Sequence, residues 1–224
     1  MYADCAKARR EEPPMTSAMT ATLALTLTLV SGGCAALADM TTARPLGAQR
    51  FELGVALTFY PSLQEPEIIG LPAVDLSFRC GVADRVDVGL RVSSMLMVML
   101  DTKIALVDAA DHGVALMPAA GISFAPLVSD KIVRGGVMVQ LDLPLLVDYR
   151  FDATRTLTLS PRYTVLLVPG EAAARHYLGG GVTGSFDVDS DVTVAPFVVG
   201  LFGLGDDRSL LRNIAEIGVV SRFR

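Results

Sequence analysis

The chain has 224 residues, 51% of them hydrophobic, with 3 cysteines, 2 histidines and a formal net charge of −5; its mean hydropathy is +0.47 and its isoelectric point is near 5.0. No basic stripe exists to displace counterions from a phosphate backbone, which excludes nucleic acid as a partner. Beyond the N-terminus there is no continuous apolar run of about 18 residues, which excludes helical membrane spans. High apolarity without long runs points to dispersal by alternation, the weak signature of a transmembrane β-barrel.

The first element in chain order is a targeting segment over 1–38. ATLALTLTLV (21–30) is an apolar h-region, preceded by Lys7, Arg9 and Arg10 and diluted by Glu11 and Glu12. Translation from Met15 or Met19 would leave no basic residue before it. VSGGC (30–34) resembles a bacterial lipobox, the signal for lipidation of Cys34. Gly33 fits it, and Ser31 stands where the motif usually has leucine. ALA (36–38) before Asp39 is instead an ordinary small-x-small cleavage site. The lipobox is slightly favoured, and both readings export the protein. With Cys5 removed and Cys34 acylated, Cys80 has no partner, so no disulfide framework is expected. Cys80 shares an apolar face with Leu76, Phe78 and Val82 and reads as a small hydrophobe.

A polar leader (39–49) precedes about ten strands over 50–224, with eight as the alternative count. The first, 50–60, sets Phe51, Leu53, Val55, Leu57 and Phe59 against Glu52, Gly54, Ala56 and Thr58. Strands over 73–82, 86–92, 97–107, 114–125, 137–151, 156–166, 176–187, 191–203 and 213–223 follow, each with an apolar parity. In GVADRVDVGLRV (81–92), Val86, Val88, Leu90 and Val92 alternate with Asp87, Gly89 and Arg91. Long and short connections take turns, apart from a short one near Ser93 and Ser94. VADR, DAADHG, FDAT and DVDSD are the short ones, and the long ones include 61–72, 126–135, 168–175 and 203–212. That asymmetry suits long loops on one side of a membrane and tight turns on the other.

The polar parity is rich in Gly, Ala, Ser and Thr with one or two charges per strand, thin for a solvated surface but suited to a curved interior. Large apolar residues fill the opposite parity on nearly every strand and would overfill a narrow lumen. The apolar face is therefore expected outward. Phe51, Phe151, Phe186 and Phe223 fall at one set of strand ends and Phe59, Phe124 and Phe202 at the other, as interfacial girdles would.

On this pattern, residues 50–224 resemble the small outer-membrane β-barrel proteins of Gram-negative bacteria, possessing a lipoprotein-like N-terminus. The resemblance implies a closed antiparallel up-and-down transmembrane β-barrel in the outer membrane, with both termini periplasmic. It implies outer-membrane lipid and the barrel-assembly machinery as partners, the latter reading a terminal aromatic; here Phe223 is penultimate and Arg224 follows.

By parity the lumen is expected to hold Glu52, Asp75, Arg79, Asp87, Arg91, Asp101, Lys103, Asp142, Asp148, Arg150, Arg162, Glu216 and Arg222. These charges nearly balance, which favours a paired, filled interior over a strongly selective pore. No catalytic residue, cofactor or metal is expected. His176 with Glu171 and Ser185 is the one formal trio for a rim enzyme acting on lipid, but Ser185 falls at the wrong end of its strand. His112 beside Asp108 and Asp111 reads as a solvated turn. GGGVTG (179–184) has the glycines of a dinucleotide fingerprint without a following helix. DVDSD (187–191) starts like a calcium loop but has Val192 and Val198 where its glycine and final acid belong. The expected function is a non-enzymatic outer-membrane barrel with its long loops as contact surfaces for an unidentified partner. The alternatives are a narrow, porin-like solute channel, a rim enzyme, and a soluble lipocalin-like ligand binder.

Overall fold

In the computed structural model the described residues are 40–60, 71–129, 132–167, 174–204 and 213–224. They form β1 (Phe51–Tyr60), β2 (Leu71–Ala83), β3 (Val86–Ser93), β4 (Met97–Asp108), β5 (His112–Leu116), β6 (Ala119–Ser129), β7 (Ile132–Arg150), β8 (Arg155–Leu167), β9 (Arg175–Asp187), β10 (Val192–Gly203) and β11 (Asn213–Phe223).

Apart from β5 and β6, which do not pair with each other, strands adjacent in sequence pair antiparallel, and β11 closes the ring on β1. β5 and β6 both lie between β4 and β7 and occupy one position of the ring. The break between them is Met117–Pro118, where proline supplies no N–H. Hydrogen bonds still flank it: Met117 N–H donates to the Pro144 carbonyl and Thr102 N–H to the Pro118 carbonyl, each at 3.0 Å. The result is a closed antiparallel barrel of ten positions, matching the ten strands expected from alternation; the eight-stranded alternative is excluded.

Burial alternates with period two. In β3, Asp87, Gly89, Arg91 and Ser93 are buried while Val88, Leu90 and Val92 are exposed. β1 repeats the pattern, with Leu57 67% exposed beside the buried Ala56 and Thr58. The exterior is therefore a sheath of large aliphatic side chains, and closure leaves no strand edge to protect.

The turn end gathers the short connections. At 151–154, Asp152 Oδ1 accepts hydrogen bonds from Thr154 N–H and Arg155 N–H, each at 2.9 Å, an Asx-type turn. Arg155 Nη2 lies 2.5 Å from Asp152 Oδ2. These partners, Arg155 first, hold the exposed Asp152 carboxyl below the usual carboxylate range. Exposed aromatics ring this end: Phe51 stacks on Phe78 at 5.8 Å, and Tyr149 meets Phe151 edge-on at 4.9 Å. Phe59 and Phe202 are exposed at the opposite end. The long connections 61–72, 168–175 and 203–212 fall mostly outside the described residues, as do Cys34 and the segment 1–38. The long connection expected over 126–135 is instead strand on both sides of 130–131. β6 runs to Ser129, β7 starts at Ile132, and those two residues are paired in register, because the antiparallel ladder continues past the apolar alternation that marked the strand ends.

Candidate functional site

The interior is where the chemistry collects. Glu52, Asp75, Arg79, Asp87, Arg91, Lys103, Asp142, Asp148, Arg162, Glu216 and Arg222 are all buried, and the side chains of Asp101 and Arg150 are each 9% exposed. They come from β1 to β4, β7, β8 and β11, so strands distant in sequence share one enclosed volume.

Most of these charges lie against an opposite charge. Lys103 Nζ is 2.9 Å from Asp87 on the adjacent strand. Arg162 Nη1 lies 3.1 Å from Asp142, whose other oxygen accepts from Thr164 Oγ1 at 2.6 Å. Arg91 Nε approaches Asp75 to 3.8 Å, Arg150 bridges Asp108 at 2.8 Å, and Arg224 bridges Glu52 at 3.1 Å. Arg222 Nη2 donates to Ser185 Oγ at 2.7 Å, and Thr158 Oγ1 donates to Asp148 at 2.7 Å.

Arg79 on β2 reaches past β3 to Asp101 on β4, at 2.6 Å. The residue between them in register is Gly89. A Cβ there would lie 2.6 Å from one Asp101 oxygen and 2.8 Å from the Arg79 guanidinium. Gly89 thus leaves the space in which the bridge forms.

The leader is part of this interior. Thr41, Thr42 and Ala43 are buried, and Met40 packs in a cluster with Ala56, Tyr177, Phe197 and Leu201 inside the barrel. Lys103, itself 1% exposed, donates to Thr41 Oγ1 at 3.1 Å, the Thr42 carbonyl at 3.1 Å and the Arg44 carbonyl at 2.6 Å. Asp87 accepts from Leu46 N–H at 3.2 Å. The leader then turns at Gly47, whose φ of 83° suits glycine, and Gln49 N–H donates to the Gly81 carbonyl at 2.8 Å. The Lys103–Asp87 pair therefore has strands on one side and leader backbone on the other. Nothing in the leader's own sequence, polar and without periodicity, marks it as interior.

A second feature departs from the sequence reading. The inward parity of β8 to β11 is apolar in part: Leu166, Tyr177, Phe197, Val199, Leu201, Ile214 and Val220 form one buried cluster with Met40. The lumen wall thus carries an apolar patch on β8 to β11, beside the charges that Arg162 on β8 and Glu216 and Arg222 on β11 place on the same strands. Strand β10 had the signal for this. Phe197, Val199 and Leu201 lie on one parity and Val192, Val194 and Val198 on the other, and a strand apolar on both faces is buried on both or meets lipid on one.

The formal enzymatic trio is not assembled among the described residues. Ser185 is buried and bonded to Arg222, whereas His176 is exposed with Nδ1 2.6 Å from Tyr163 Oη. They lie nine residues apart on β9, about 30 Å along a strand and on opposite faces. Glu171 lies outside the described residues. His112 Nδ1 contacts Asp111 at 2.7 Å in an exposed turn, and that hydrogen bond lowers the Asp111 pKa from its ordinary value. Among the described residues no group of three or more His, Cys, Asp or Glu side chains could hold a metal ion. The segment 179–184 is continuous strand β9, and 188–191 is the turn to β10.

The class the fold defines is an up-and-down β-barrel with an apolar exterior and a charged, filled interior. No protein-family model matches the chain, and no curated protein matches it in sequence. Among the solved structures to which the chain is similar are two at low identity. The translocator domain of the autotransporter NalP from Neisseria meningitidis shares 11% identity at a TM-score of 0.37, over 93% of this chain and 97% of that one. A loop L8 deletion mutant of OmpT, an outer membrane protein of Vibrio cholerae, shares 9% identity at a TM-score of 0.33, over 80% of this chain and 99% of that one.

Lys103→Met would leave the Asp87 carboxylate buried without its counter-charge and take away the ammonium to which three leader oxygens bond. Loss of one partner of a buried pair costs about 3–5 kcal/mol. The expected outcome is a large fall in the urea midpoint of the detergent-solubilised protein, with Lys103→Met/Asp87→Leu recovering part of it. Equal losses in the single and double variants would show that the pair is not the source.

Proposed function

We propose that this chain is a transmembrane barrel of the bacterial outer membrane whose lumen is closed by its own leader, and that it works without catalysis. The observation that carries the reading is the direction of the two faces. Side chains such as Leu57, Leu100 (61% exposed) and Phe202 (64%) stand outward around the ring, while Asp75, Asp87 and Glu216 are fully buried. A soluble ligand-binding barrel needs the reverse arrangement, apolar inside and polar outside. Among the described residues no helix is long and apolar enough to cross a membrane. The 12 residues of β10, at about 3.3 Å each and tilted by about 40°, rise about 30 Å, enough for the apolar band of an outer-membrane barrel.

In this reading the turn end faces the periplasm, where Arg50 enters β1 and Arg224 leaves β11, and the long loops face outward as contact surfaces. The exposed aromatics at both ends sit at the lipid interfaces, outer-membrane lipid covers the aliphatic sheath, and the assembly machinery engages β11. Leader residues inside the lumen and the paired charges around them support a closed barrel over a solute channel. Acylation of Cys34 belongs to the same proposal on the strength of the VSGGC stretch.

Fractionated cells are expected to hold the protein in the outer membrane, as a band whose gel mobility shifts on boiling, while their lipid A keeps its mass spectrum. A soluble periplasmic protein without a shift would overturn the membrane reading, and altered lipid A the non-catalytic one. In planar bilayers the purified protein is expected to be silent, and deletion of residues 40–46 to open steady conductance; conductance of the same size in both would remove the leader's closing role. Alkynyl palmitate is expected to label the wild type and not Cys34→Ser, and equal labelling would discard acylation at that site.

A further inference from the structure

At the turn end a cavity of about 640 Å³ lies between leader residues Thr42 and Arg44, the end of β4 with its following turn, and the ends of β7, β8, β9 and β11. That volume falls within the range of small-molecule sites. Charges of both signs line it, and most are already engaged. Arg150 is bridged to Asp108, Arg224 to Glu52, Asp152 to Arg155 and Asp111 to His112.

Two buried groups on the lining are only half engaged. Arg222 is 1% exposed and spends Nη2 on Ser185 Oγ, while its Nε and Nη1 have no hydrogen-bond partner. Asp148 is 1% exposed and accepts from Thr158 at one oxygen, while Oδ2 has no partner. The two line the same cavity without bonding each other. Buried charged atoms left open are costly, and each such atom in a folded chain calls for an occupant. Here the open donors are cationic and the open acceptor is anionic, in one volume.

A simple anion at Arg222 would sit beside Asp148 and Asp187, and a simple cation at Asp148 would sit beside Arg222. A ligand carrying both charges meets both walls without leaving either repulsion uncompensated. We propose that this mouth cavity binds a small zwitterion, the size of a free amino acid or a dipeptide, with its carboxylate on Arg222 and its ammonium on Asp148. Arg44, exposed on the leader, forms the outer lip. The site belongs to the interior of the folded barrel and does not depend on which membrane surrounds it.

Isothermal titration of the full chain in detergent micelles tests this with glycylglycine as probe and N-acetylglycinamide, acetate and inorganic phosphate as controls. Glycylglycine is expected to bind saturably and N-acetylglycinamide not at all. Arg222→Gln and Asp148→Asn are each expected to weaken glycylglycine binding about tenfold or more, the effect of losing a charged hydrogen bond. Each variant is first shown to keep its heat-shifted band, and Asp148→Asn carries the test where Arg222→Gln does not fold. Acetate or phosphate binding as tightly as glycylglycine, unchanged in Asp148→Asn, would make the cavity a plain anion site and overturn the proposal. So would the absence of saturable heat from glycylglycine at about 10 mM, the weak limit of a specific small-ligand site, which would assign the open atoms to water alone.

Discussion

Closure of the ring is the constraint on which the rest of this structure depends. A barrel without edges requires every strand to bond on both sides, and a pleated strand then sends alternate side chains to opposite worlds. Ten ring positions turn ten inward faces, most of them carrying charge, toward one narrow volume. Charges crowded there must find opposite charges within reach, because an isolated buried ion costs several kcal/mol. The cross-strand pairs Arg79–Asp101, Lys103–Asp87 and Arg162–Asp142 answer that demand. Gly89 shows how closely the backbone is fitted to it: a strand residue gives up its side chain so that the Arg79–Asp101 bridge can pass above.

Pairing across strands does not by itself satisfy the interior. An ammonium group has three protons to place, and Lys103 spends one direction on Asp87 and the others on the leader. The inner part of the leader in turn has backbone groups outside the strand ladders, and the Thr42 and Arg44 carbonyls and the Leu46 amide meet the side chains of Lys103 and Asp87. The two needs meet. Residues 40–46 therefore behave as an inner core element, with Met40 against the apolar wall of β8 to β11 and Thr41 to Arg44 against Lys103. A lumen filled this way is held by directional hydrogen bonds on one side and by packing on the other.

The interior changes character at the turn end. There the leader runs out toward Gly47 and the strands end, so the packing that fills the middle of the barrel gives way to a cavity. Arg222 and Asp148 stand at this transition, close enough to the interior to be buried and too far from one another to pair. Their half-engaged state follows from where the plug stops.

The alternation of apolar and polar residues determined on its own the all-β class, the order of the strands and which parity is apolar, because period two is a property of the local chain and survives in any register. It left ten strands against eight, which the pairings around the closed ring decided. It placed Asp87 and Arg91 opposite Val88 and Leu90 before any partner was known, and the hydropathy without long runs pointed to the same fold. The charged residues that parity sets on the polar face are buried together in the structure. Only tertiary structure decided which charge meets which. Arg79 and Asp101 are 22 positions apart, and their meeting depends on barrel register and on the missing side chain of Gly89. It also decided that a polar, aperiodic leader lies inside. A segment without secondary structure carries no local signal of its surroundings, and its place was set by donors on β4 that only closure brings to it.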